Sequence, residues 1–131
     1  MTPKFRAWHN ELGRMMSISD MWFNVDSLGE IGLNDAVMND YITAYPDEIE
    51  LMQSTGLKDK NGQEIFEGDV VEYKGRKAII KWHGSYASFI YRFVDEMQER
   101  VSEWDPLFLA YHHFEIIGNI YENPELLEVE E

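Results

Sequence analysis

Cysteine is absent from all 131 residues. That excludes a disulfide framework, a thiolate metal site and a cysteine nucleophile, and it is compatible with a reducing compartment. Positive charge is scarce: 11 Lys+Arg stand against 25 Asp+Glu, a formal net charge of −14. Proteins that displace counterions from phosphates need a basic footprint, so a phosphate-binding face here has to be local. The same charge opposes approach to DNA or to an anionic membrane. Its plain consequence is solubility. A sharper one is mimicry of DNA, which needs carboxylates spaced along a surface, and composition does not show spacing. No apolar run reaches the roughly 18–20 residues of a membrane span. No basic-then-apolar leader opens the chain, so a signal peptide is not expected. A Gly-x-Ser-x-Gly elbow, a glycine-rich phosphate loop and a His-Glu-x-x-His motif are all missing. The histidines, His9, His83, His112 and His113, include no His-x-His or His-x-x-x-His spacing. On an extended strand His112 and His113 would point to opposite faces. No metal and no cofactor is expected, and no pair of carboxylates stands out for acid–base chemistry. The chain reads as a binding protein rather than an enzyme.

What is present suits a globular fold. Hydrophobic residues make up 44% and aromatics 14% of the chain, too apolar for disorder. Its length fits one ordinary domain, able to bury about two-thirds of its unfolded surface. The densest information lies in residues 53–71, where Gly56, Asn61-Gly62 and Gly68-Asp69 each signal a turn followed by extended chain. Asp59-Lys60-Asn61-Gly62-Gln63-Glu64 superficially resembles a calcium loop. An EF-hand needs glycine sixth and glutamate twelfth; counted from Asp59, glycine falls fourth and the twelfth residue is Val70. The segment is therefore read as a turn, with Asp59 and Asn61 bonding local backbone amides.

Period-2 alternation marks the strands. Residues 4–8 form a short one, and 15–25 form one or two. Residues 26–50 show no sustained period; a short helix through Ala36-Val37-Met38 is the helical candidate there. Strands 70–73 and 78–82 flank a turn at Lys74-Gly75-Arg76, with Val71, Tyr73, Ala78, Ile80 and Trp82 on the inner face and Lys77 and Lys81 opposite. Strand 87–94 is apolar on both faces, Phe89, Tyr91 and Phe93 on one and Ile90, Arg92 and Val94 on the other. A small barrel buries one face only, so Ile90, Arg92 and Val94 form a candidate interaction surface, to be covered by the rest of the chain, by a partner or by a second copy. Residues 95–105 are helix or loop, limited by Pro106. A last strand spans 114–121, Pro124 opens a short helix through Leu127, and 128–131 is an acidic tail expected to fray. The aromatics Trp82, Phe89, Tyr91, Phe93, Trp104, Phe108 and Tyr111, clustered with Arg92 and Arg100, serve either as core or as a stacking platform for bases or a peptide groove.

Residues 4–8, the stretch Leu51-Met52-Gln53-Ser54-Thr55-Gly56-Leu57-Lys58-Asp59-Lys60-Asn61-Gly62 running on to Val71, and 116–127 together resemble the YopX family of phage and prophage proteins. The resemblance implies a mainly β (α+β) fold over 1–131: an N-terminal α+β portion (1–50) and an SH3-like β-barrel in the C-terminal half (51–127). It implies no activity, catalytic residue or cofactor. The matching positions Gly56, Asp59, Asn61, Gly62, Gly68, Asp69, Gly118 and Pro124 look structural. The phage context suggests an accessory protein in the bacterial host cytoplasm. The expected role is a non-catalytic protein-interaction or regulatory module, with a homo-oligomer as its candidate assembly and no membrane association. Nucleic-acid binding through the barrel is the alternative, followed by a DNA mimic or an enzyme with an unrecognised carboxylate site.

Overall fold

The computed structural model describes residues 4–23, 29–98 and 103–128; Arg100 and residues 129–131 of the acidic tail lie outside them. The chain divides into two compact units between Gln53 and Ser54. The first unit is an antiparallel sheet. Its strands are β1 (Phe5–His9), β2 (Arg14–Phe23), β3 (Ile31–Asp35), β4 (Asp40–Ala44) and the first half of β5 (Ile49–Lys58), in the order β4-β3-β2-β1-β5. Alternation places Ala7, Met16, Leu33, Ile31, Ala44 and Ile49 in one core. On another part of the sheet Trp22 packs beside β3, where a Cβ at Gly32 would meet the indole at 2.6 Å. The indole stacks on Tyr41 of β4, rings 5.3 Å apart and 15° from parallel.

The helix expected through Ala36-Val37-Met38 is a turn instead. Ala36 N–H donates to the Ser17 carbonyl (2.8 Å) and Val37 N–H to Asp35 Oδ1 (3.0 Å). The Asp35 side chain thus satisfies the amides that a helix would use, and the segment is too short to nucleate one between two paired strands. The described part of the N-terminal unit is β without α.

The second unit holds the sheet β10-β9-β8-β7-β11: β7 (Asp69–Tyr73), β8 (Arg76–His83), β9 (Ser88–Phe93), β10 (Asp105–Pro106) and β11 (Glu115–Asn119). The end of β5 pairs with β6 (Glu64–Phe66), and one short helix, α1 (Val94–Gln98), follows β9. Lys74 and Gly75 take φ of +52° and +77°, the conformation of a two-residue hairpin turn matched to strand twist. Val71, Ala78 and Ile80 meet Ile65, Leu107 and Phe114 in the core. The described strands do not close into a barrel. Its outer strands are β10 and β11; β10 stops at Pro106, which has no N–H to continue a ladder, and the chain turns away into 3₁₀ segments at 107–109 and 111–113.

Two face assignments need correction. Trp82 shares the face of Ala78 and Ile80 but lies near the end of β8, beyond the centre of the core, and is 47% exposed. Tyr73, at the end of β7, is exposed for the same reason. Ile90 and Val94 are buried in the single chain, 4% and 3% exposed, and Arg92 is half-buried. They do not form an open interaction surface. Val70 and Ile79 share their face and are buried too, so this sheet is covered on both sides.

Candidate functional site

The residues of the 53–71 block are occupied with structure. Asp59 is buried and its carboxylate accepts three backbone N–H groups: Asn61 and Gln63 at 2.9 Å on Oδ1, and Ile116 at 3.0 Å on Oδ2. It therefore ties its own turn to β11. Gly62 holds φ +82° in that turn. Asn61 turns its amide outward to Glu115 (3.4 Å) rather than to local backbone. Asp69 Oδ2 accepts Phe66 N–H at 2.8 Å. Gly68 N–H donates to the Ile80 carbonyl and Gly68 accepts from Ile120 N–H. Gly56 N–H donates to Ser54 Oγ at 3.1 Å. Gly118 lies close under Asn123 and Leu126, and Pro124 opens the 3₁₀ turn 124–127. None of these positions lines the groove described next.

A groove forms in the second unit around the β8–β9 connection. Thr55 and Leu57 of β5, Trp82 of β8, Ser88 and Phe89 of β9, and Leu107 and Phe108 line a groove of about 340 Å³. Trp82 and Phe89 meet edge to face at 5.0 Å, a favoured aromatic geometry. The connection is a single 3₁₀ turn, Gly84–Tyr86, ending at Ala87. Ala87 also lines the groove and has φ +47°, a left-handed conformation that costs an L-residue about 1–2 kcal/mol. Behind the turn, the rings of His83, Tyr86 and Trp104 lie 4.7–5.0 Å from one another. They fill the space between them. The aromatic-rich sequence pointed to Trp82, Phe89 and Phe108; it gave no signal for Thr55 and Leu57, which only long-range pairing brings there.

The comparison with protein families matches the YopX protein model over residues 4–128. The chain belongs to the YopX family. Among solved structures, this YopX-family chain is similar to protein EF1440 from Enterococcus faecalis. Identity there is 30% and the TM-score 0.61, over 98% of this chain and 99% of that one. It is also similar to the YopX protein of Bacillus subtilis, at 20% identity and TM-score 0.58 over 95% and 98%; that likeness speaks for the fold. No curated protein matches the chain.

The electrostatics of the YopX-family chain are those of clamps. Burial pushes the Asp35 carboxyl up, but the Arg14 guanidinium at 2.9 Å and the backbone N–H groups of Val37, Met38 and Ser17 outweigh it and hold the pKa below the usual carboxylate range. Arg14 also reaches Asp40 at 2.7 Å, joining β2 to both strands of the next hairpin. Asp95 is lowered by Arg76, which stacks 3.6 Å above the Phe93 ring and grips α1. Burial lowers Lys81, and the neighbouring Arg92 charge adds to it. Burial raises the Tyr91 hydroxyl, helped by Asp105. Among the described residues no group of three His, Asp or Glu side chains is placed to hold a metal. His112 and His113 sit in a 3₁₀ turn with rings 4.0 Å apart, not on opposite faces of a strand. No described helix is long and apolar enough to cross a membrane.

Proposed function

We propose that this YopX-family chain is a non-catalytic protein-interaction module, an accessory that a phage or prophage supplies to the bacterial cytoplasm. The observation that carries the reading is a groove lined by the exposed Trp82 and Phe108, with the exposed Tyr86 and Leu109 next in the chain to its lining residues Ala87 and Phe108. Clustered exposed apolar surface marks a binding site more often than scattered single residues do. The chemistry fits binding better than catalysis. A general acid or base needs a tuned pKa beside a cleft, whereas the Asp35 and Asp95 carboxyls are shifted downward, at clamps away from the groove lining. The net charge of −14 disfavours nucleic acid as the natural ligand.

The test is affinity capture of the tagged full chain from bacterial cells carrying the phage or prophage, with mass spectrometry of what remains after a salt wash. A reproducible stoichiometric protein partner is expected. A preparation that carries nucleic acid and no protein would move the reading to the nucleic-acid alternative.

A further inference from the structure

β10 ends after two residues, so β9 pairs with a described strand along its outer edge only at Ile90 and Tyr91; the 3₁₀ segment Leu107–Leu109 that follows runs on close to β9. Ser88 and Phe89 pair with His83 and Trp82 on the β8 side and with no described strand on the other. In an antiparallel ladder, successive residues direct their N–H and C=O groups to opposite sides. One of these two residues therefore turns both groups to the side that no described strand pairs; the Phe89 carbonyl accepts the Ser88 hydroxyl at 3.3 Å. That edge borders the groove, where Trp82, Phe89 and Phe108 supply apolar walls. The Trp82 indole N–H has no hydrogen bond to any described group, and its ring is half exposed. Asp105 lies two residues before Leu107 and opposite Tyr91. It and Glu103 are exposed and in no ion pair among the described residues, whereas Asp95 and Glu96 are held by Arg76.

An open strand edge beside an apolar groove suits an extended chain, whose backbone adds to the sheet while alternate side chains enter the groove. The carboxylates beside it set the sign of the partner. We propose that the groove binds an extended segment of a partner protein that alternates apolar residues with Lys or Arg, adding to the edge of β9 at Ser88–Phe89 with its apolar side chains against Trp82, Phe89 and Phe108. The net charge of −14 steers such a segment toward the chain from a distance. This rests on the interaction-module reading and names its site and the chemistry of its partner.

The probe is a fluorescein-labelled peptide, Lys-Leu-Lys-Phe-Lys-Leu-Lys, titrated with the full-length protein by fluorescence anisotropy. Saturable binding is expected, weakening as salt rises, with none for the counterpart in which every Lys is Glu. Phe108→Ser and Trp82→Ala, both at exposed positions and checked for native melting, should each weaken binding by about tenfold, as loss of an aromatic anchor does. Asp105→Lys should weaken it and flatten its salt dependence. N-methylation along one edge of the peptide should abolish binding and along the other should not. Equal binding by the Lys and Glu peptides, or by wild type and Phe108→Ser, overturns the proposal. So does indifference to N-methylation on both edges. If a partner captured from cells is retained by Phe108→Ser, the groove is overturned while the interaction-module reading stands. If wild type captures no partner and binds no peptide, both fall.

Discussion

Asp59 shows at the residue scale how a side chain that resembles a metal ligand is consumed by its own backbone. Both oxygens already accept amides, and the residue is buried. Removing them leaves up to three N–H groups without a partner, and each buried orphan costs about 1–3 kcal/mol. Asp59→Ala should therefore lower stability by on the order of 2–4 kcal/mol in urea unfolding, and added calcium should not raise the wild-type melting temperature. Gly62 is a different case. A Cβ there meets nothing within 4 Å, so the cost of Gly62→Val is the backbone alone, about 1–2 kcal/mol. Lys60→Ala should be nearly neutral, because its 3.7 Å pair with Glu115 joins two half-exposed side chains. Equal melting temperatures for wild type and Gly62→Val would contradict the left-handed turn.

At the element scale, the β3–β4 hairpin depends on the clamp of Arg14 on Asp35 and Asp40. The Asp35 carboxyl titrates lower in the folded chain than in the unfolded one. Its contribution is complete above the unfolded value, about 4, and is lost as pH falls through the depressed folded value. Asp35→Asn should cost on the order of 2–4 kcal/mol at neutral pH, somewhat under a fully buried pair, since Arg14 is a quarter exposed. The variant's stability should also fall less steeply below pH about 4 in melts followed by circular dichroism. On β8 the contrast lies between neighbours on one face. Ile80→Ala empties a core position and should cost about 2–5 kcal/mol, whereas Trp82→Ala, at a half-exposed ring, should cost only about 1–2 kcal/mol. A reversed order would put Trp82 in the core after all.

For the whole molecule, the burial of Ile90 changes what a charge at that position tests. On an open face Ile90→Glu would break an oligomer into folded monomers. With Ile90 buried in the single chain, the substitution places an unpaired carboxylate in an apolar site. Loss of the cooperative melt is expected, with light scattering showing an unfolded or aggregated chain. A folded monomer from an oligomeric wild type would restore the interface reading. The charge of −14 also bounds nucleic-acid affinity. Oligonucleotide anisotropy at physiological salt should give nothing tighter than the roughly 10⁻⁴–10⁻⁶ M of non-specific binding, and submicromolar binding would favour the nucleic-acid alternative.

The features legible in the amino-acid sequence are those set by neighbours in the chain. Asn61-Gly62 and Lys74-Gly75 marked turns because positive φ is a local demand, and both glycines meet it. Strand β8 was legible because period-2 alternation follows from the pleat. The β3–β4 hairpin was not, because Ala36-Val37-Met38 has no strong local preference and takes its form from Asp35 and Ser17 across the sheet. Tertiary structure alone decided that Ile90 is covered, that Trp82 projects past the core and that the second sheet stays open. It alone brought Leu57, Trp82 and Phe108 to one groove. Each of these depends on pairs far apart in the chain, as when Asp59 meets Ile116. Alternation says that a strand has two faces; only packing determines what covers each face and how far along the strand that cover extends.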